Sequence, residues 1–117
     1  MIRKKQELNV VKMPELKGGN GTAEFCHILS AEELGKAGRL FARTVLHPGA
    51  SVGYHIHEGE YEVYYILQGT AKLTQDGEVY ELQPGDMSVC PDGSAHGIEN
   101  CGDQDLHFIA AVFYTLD

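Results

Sequence analysis

His55 and His57 stand two residues apart in this chain of 117 residues, Glu62 follows shortly after them, and His96 lies further on. If residues 52–57 form a strand, both imidazoles project from the same face. Glu58-Gly59-Glu60 is a turn sequence, so an antiparallel strand returning from it sets the Glu62 carboxylate beside them. His96, after Pro91-Asp92-Gly93, then comes in from a neighbouring strand. Three neutral nitrogens and one carboxylate facing one cavity are a ligand set for a divalent transition metal. Taken singly, each histidine reads better as a polar strand residue, and the joint spacing is what favours the metal. Zinc prefers four-coordinate sites, often with sulfur, whereas this donor set with open positions suits octahedral manganese(II) or iron(II); nickel, cobalt, copper and zinc follow on affinity grounds. Imidazole must be neutral to coordinate, so metal is expected to be lost below about pH 6.

The elements that must hold these side chains are short strands. From Leu40 onward, turn signals recur at close intervals: Pro48-Gly49, Gln68-Gly69, Asp76-Gly77, Pro84-Gly85, Pro91-Asp92-Gly93 and Cys101-Gly102-Asp103. The clearest hairpin joins 71–74 to 79–82 through Asp76-Gly77, residues that tolerate the positive φ angles of a type I′ turn. About eight such strands make an all-β jelly roll or small barrel. Ser30-Ala31-Glu32-Glu33 has the spacing of a capping box and opens one short helix that Gly35 and Gly38 end. Residues 1–21 start basic and close on Gly18-Gly19-Asn20-Gly21, which predicts a flexible N-terminal arm before a single domain at 22–117.

Composition sets further bounds. A formal charge of −8 repels phosphate backbones and anionic headgroups, so neither nucleic acid nor membrane is an expected partner. The apolar run Phe108 to Tyr114 is too short to span a bilayer, and residues 1–11 lack an apolar signal core, which points to the cytoplasm. Cys26, Cys90 and Cys101 contain no C-x-x-C pair and read as reduced, buried small side chains.

The run Gly49-x5-His55-x-His57-x4-Glu62-x6-Gly69 resembles the first motif of the cupin superfamily, and Gly85-x5-Pro91-x-Gly93-x2-His96-x3-Asn100 resembles the second, with no position missing. The resemblance spans Leu40 to Tyr114 and implies a double-stranded β-helix (jelly-roll) cupin barrel whose mouth holds one metal on His55, His57, Glu62 and His96. The glycines set turns, and Asn100 reads as a turn or hydrogen-bonding residue. The sequence around the ligands looks like the small manganese cupins of the oxalate-decarboxylase-like group, which makes Mn2+ the favoured ion. Oxalate decarboxylases proper have two cupin domains and an arginine just ahead of the first metal histidine. Residues 51–54 contain no arginine.

Binding of a small carboxylate would survive those departures. Arg43 is a candidate anion clamp, Glu58 and Glu60 are candidate acids or lid residues, and Tyr64, sharing the parity of Glu62, is a candidate to orient ligand or substrate. His107, at the start of the last strand, is a further candidate for substrate binding, whereas His27 and His47 lie outside both motifs. The first functional expectation is a metalloenzyme of decarboxylase, dioxygenase or isomerase type acting on a small oxygen-rich substrate. The alternative is a non-catalytic, metal-dependent binding protein for a small carboxylate such as oxalate. A homodimer is expected, with the strand at 22–29 donated as a sheet edge.

Overall fold

The computed structural model describes residues 1–115. Its strands are β1 (Val10–Pro14), β2 (Thr22–Leu29), β3 (Gly38–Leu46), β4 (Ser51–Ile56), β5 (Glu60–Gln68), β6 (Ala71–Gln75), β7 (Glu78–Leu82), β8 (Met87–Cys90), β9 (Ala95–Asn100) and β10 (Leu106–Tyr114). They form a larger sheet in the order β1-β2-β3-β10-β5-β8 and a smaller one in the order β4-β9-β6-β7. Every pairing is antiparallel. This is the expected jelly roll. The inner faces meet in one core, with Ala42, Leu46, Ile66 and Phe108 from the larger sheet against Val52, Leu73 and Ile98 from the smaller. No helix among the described residues is long and apolar enough to cross a membrane.

Local chemistry accounts for the turns and the helix. Asp76 and Gly77 take φ of 47° and 83°, and the strands they join pair from Gln75↔Glu78 onward. Helix α1 (Ala31–Leu34) opens on a complete capping box between Ser30 and Glu33 and stops at Gly35, whose φ is 58°.

The expected flexible arm is instead largely structured. Val10–Pro14 pairs with β2, Val10↔Cys26 through Pro14↔Thr22, and 3-10 turns at Lys5–Glu7 and Leu16–Gly18 flank it. The turn at Leu16–Gly18 lies on β4 so closely that a Cβ on Gly53 would sit 1.9 Å from the Lys17 carbonyl oxygen. Arg3 adds a tie to α1, its guanidinium bonding both carboxylate oxygens of Glu33 at 2.9 Å. Strand β2 is therefore not an edge, because β1 covers it, and it cannot serve as the free edge expected for a dimer. Cys90 is buried and Cys26 partly so, but Cys101 is exposed, against the expectation that all three are buried; none is in a disulfide.

Candidate metal centre

Four elements deliver the four donors. His55 lies on β4 opposite His96 on β9, and the ladder slips between Val52 and His55, so that both Val52 and His55 turn inward. His57 follows the end of β4 and is held by the 93–94 turn: its N–H donates to the Ser94 carbonyl at 3.0 Å, and its carbonyl accepts from Gly93 at 2.7 Å. Glu62 stands on β5 between Val112 of β10 and Cys90 of β8. His57, Glu62 and His96 are buried, and His55 is partly so.

The donors converge. His57 Nε2 lies 3.1 Å from His55 Nε2, 3.1 Å from His96 Nε2 and 3.0 Å from Glu62 Oε1, while His96 Nε2 is 2.9 Å from that oxygen. Adjacent ligands at right angles on bonds of about 2.1 Å stand about 3.0 Å apart, so these separations suit corners of one coordination polyhedron. The opposite ring nitrogens fix the tautomers of two histidines. His55 Nδ1–H donates to the Gly53 carbonyl at 2.7 Å and His57 Nδ1–H to the Glu60 carboxylate, which leaves each Nε2 as a bare lone pair. Lone pairs facing one another at these distances repel, and only a cation, a proton or a metal ion, makes the contact favourable. The donor set thus fits a divalent metal.

Electrostatics support the same reading. Burial opposes charge on Glu62, but the imidazoles of His55, His57 and His96 gathered around it outweigh burial and hold the carboxyl well below its usual pKa. The Glu62 hydrogen bond, with help from Glu60, raises the His57 pKa against burial, so a proton and a metal compete for that ring. Burial lowers the His96 pKa, which favours the neutral ring. Its ring is held by Tyr64, stacked at 4.8 Å between centroids and 7° between planes. Burial, followed by the nearby Glu62 carboxylate, pushes the Tyr64 phenol well above its usual range.

Behind His57 stands a support that sequence reasoning missed. Arg39 Nε and Nη2 donate to the two carboxylate oxygens of Glu60, each at 2.7 Å, and Glu60 in turn accepts from His57. The Arg39 contact lowers the Glu60 pKa and keeps it an acceptor. Arg39 faces this way because β10 pairs Val112 with Leu40 and then Phe113 with Gly38, skipping Arg39 in a β-bulge.

Residues 42–112 match the cupin domain family. This chain belongs to the cupin family. Over 112 residues it is 40% identical to the oxalate-binding protein of Thermotoga maritima, covering 96% of this chain and 93% of that protein. A crystal structure from Thermotoga maritima described as a predicted oxalate decarboxylase superposes with a TM-score of 0.92 at 39% identity, covering 98% of this chain and 100% of that one. The oxalate decarboxylase of Bacillus subtilis is 33% identical over 73 residues, which are 58% of this chain and 19% of that protein.

The other candidate residues of this cupin are dispersed. Tyr64 lines the cavity beside the donors. Glu60 is on the inner side but committed to Arg39 and His57, and Glu58 is exposed in the turn. Arg43 and His107 point to the outer face of the larger sheet, where the Arg43 guanidinium meets His107 Nδ1 at 3.0 Å; neither reaches the cavity. Alternation along β3 explains it, since Ala42 and Thr44 take the inner positions. His27, which lies outside both sequence motifs, lines the cavity together with Lys17 and Arg39.

Proposed function

We propose that this cupin is a divalent-metal protein for a small carboxylate, with manganese(II) as its ion and His55, His57, Glu62 and His96 as the ligands. The convergence of three Nε2 atoms, two of them fixed as bare lone pairs, with one carboxylate oxygen in an open cavity carries the reading. The relationship to an oxalate-binding protein and an oxalate decarboxylase supports oxalate-like carboxylates as the ligand class. A divalent ion bound there supplies Lewis-acid attraction for carboxylate oxygens at the positions the protein leaves open. The protein's own contribution is orientation: Arg39 fixes Glu60, Glu60 fixes His57, and Tyr64 fixes His96. Lys17 sets a positive charge in the lining of the cavity of an otherwise acidic molecule, which favours entry of an anion.

Holding the carboxylate and turning it over, by decarboxylation, dioxygenation or isomerisation, share this first step and part at proton transfer. Glu60 and Tyr64 are the groups within reach of the ligands for that role. We place the protein in the cytoplasm as a homodimer. The outward Tyr65, Leu67, Met87 and Val89 of β5 and β8, all more than a third exposed, offer an apolar sheet face to a second copy. Sedimentation as a monomer at micromolar concentration removes the dimer.

The deciding experiment is elemental analysis of native-purified protein beside His57→Ala and His96→Ala, followed by calorimetry with oxalate. Close to one manganese or iron per chain, lost in the folded variants, with oxalate heat only from the loaded protein, is the expected result. No metal after incubation with manganese, iron, nickel and zinc overturns it. A substrate panel run with and without oxygen then separates turnover from holding.

A further inference from the structure

The cavity above the donors measures about 270 Å³, the liquid volume of roughly nine waters at ~30 Å³ each. Part of its wall is a collar of apolar side chains: Val11 and Met13 from β1, with Leu16 from the 3-10 turn after it and Leu40 from β3, which also pack against the core. Met13 is 39% exposed, and Val11, Leu16 and Leu40 are only partly buried. Below them Val52 and Phe108 continue the apolar surface down toward the donors. Apolar walls around a few convergent polar groups are the usual make-up of a site for a ligand with an apolar body.

Oxalate is two joined carboxylates and nothing else. With its head at the donors, its outward charged oxygens meet walls that are mostly apolar. Of the polar groups lining those walls outside the donor cluster, Arg39 already holds Glu60 through Nε and Nη2 and Tyr64 stacks on His96, which leaves Lys17 and His27. Burying charged oxygens without partners is costly. An acid whose second chelating oxygen is an adjacent oxo or hydroxyl group keeps the same head and replaces the outward carboxylate with a carbon chain that the collar can cover.

Building on the metal-dependent carboxylate reading, we infer that the ligand is a 2-oxo or 2-hydroxy acid with an apolar side chain. Its polar head sits at the donors formed by His55, His57, Glu62 and His96, and its side chain lies under the collar of Val11, Met13, Leu16 and Leu40. The collar selects the ligand by length, and the donor cluster selects it by its head.

The test is calorimetry on the full-length, manganese-loaded protein with oxalate, pyruvate, 2-oxobutanoate and 4-methyl-2-oxopentanoate. Each methylene buried under the collar tightens binding about fourfold, so the last acid binds on the order of 50-fold more tightly than pyruvate. Val11→Ser combined with Met13→Ser, at the two collar positions that do not pack on the core, removes most of that gain and leaves oxalate and pyruvate within about twofold of the parent. Affinity that is flat or falls along the series while oxalate binds overturns this inference and leaves the carboxylate reading standing. Loaded protein that binds neither oxalate nor any of the 2-oxo acids overturns both.

Discussion

Two buried polar knots sit at opposite ends of β9, and they are built on opposite logic. At one end Asn100 is 1% exposed and fully bonded. Its Nδ2 donates to the carbonyls of Leu46 and Gln104, both at 2.8 Å, its Oδ1 accepts from Gly102 at 2.9 Å, and its backbone bonds Ala50 and Gly49. At the other end His96 points its Nε2 at other acceptors, and its Nδ1 is buried with no partner. The first knot is complete without anything added and closes the β3–β4 and β9–β10 connections. The second is complete only around a cation. In one strand, satisfied hydrogen bonding marks a residue kept for the fold, and converging acceptors mark residues kept for a ligand.

That contrast can be broken by substitution. His57→Ala is expected to lose more than the ~100-fold in metal affinity that removing a mere supporting group can cost, while the apo protein keeps its fold; equilibrium dialysis with manganese measures the first and circular dichroism the second. Asn100→Ala is expected to do the reverse. It leaves the Leu46 and Gln104 carbonyls and the Gly102 N–H unpaired and lowers stability by on the order of 3 kcal/mol in urea unfolding. Metal binding by the folded Asn100→Ala fraction stays at the parent value, and a loss matching that of His57→Ala would merge the two knots into one. Manganese at a hundred times its dissociation constant should stabilise the parent and Asn100→Ala alike, by about 2.7 kcal/mol, and His57→Ala not at all.

Smaller effects sharpen the comparison. Glu60→Ala frees His57 Nδ1 and strips Arg39 of its partner, and it is expected to weaken manganese binding about 10- to 100-fold with the ligands untouched. The smallest effect belongs to His47, which bridges Asp105 at 2.8 Å and Glu24 at 2.7 Å on the surface. Those carboxylates, Asp105 first, raise its pKa in the folded state. Its contribution is therefore full below the unfolded value near 6.5 and is lost as pH rises through the folded one. With the side chain 55% exposed, screening by water limits the effect to about 0.5 kcal/mol. Thermal melts of His47→Asn should fall below the parent at pH 5.5 and coincide with it at pH 9.

The donor cluster was legible in the sequence because its spacing is local: His55 and His57 are neighbours on one chain segment, and a single turn returns Glu62 to them. The Asp76-Gly77 hairpin and the Ser30 capping box were legible for the same reason, each being set by adjacent residues. What escaped was set by partners distant in sequence. Val10–Pro14 contains a proline and follows a charged start, and only the β2 edge beside it makes it a strand. Alternation on β3 places Arg39 with Arg43 on the outer face, and the bulge opposite Val112 and Phe113 reverses that for Arg39 alone. Arg43, a candidate clamp only if it pointed inward, consequently lies on the outer face, while the arginine that does reach the site sits four residues earlier on β3.

The order of synthesis also matters. Strand β10 lies between β3 and β5 in the larger sheet, yet it follows all the other described strands in the chain. Until residues 106–114 emerge, the strand carrying Glu62 has no neighbour on its β10 side, and β3 waits beside it unjoined. Pairings so distant along the chain form late. The nascent chain can therefore display all four donors before the sheet that holds Glu62 in place is complete.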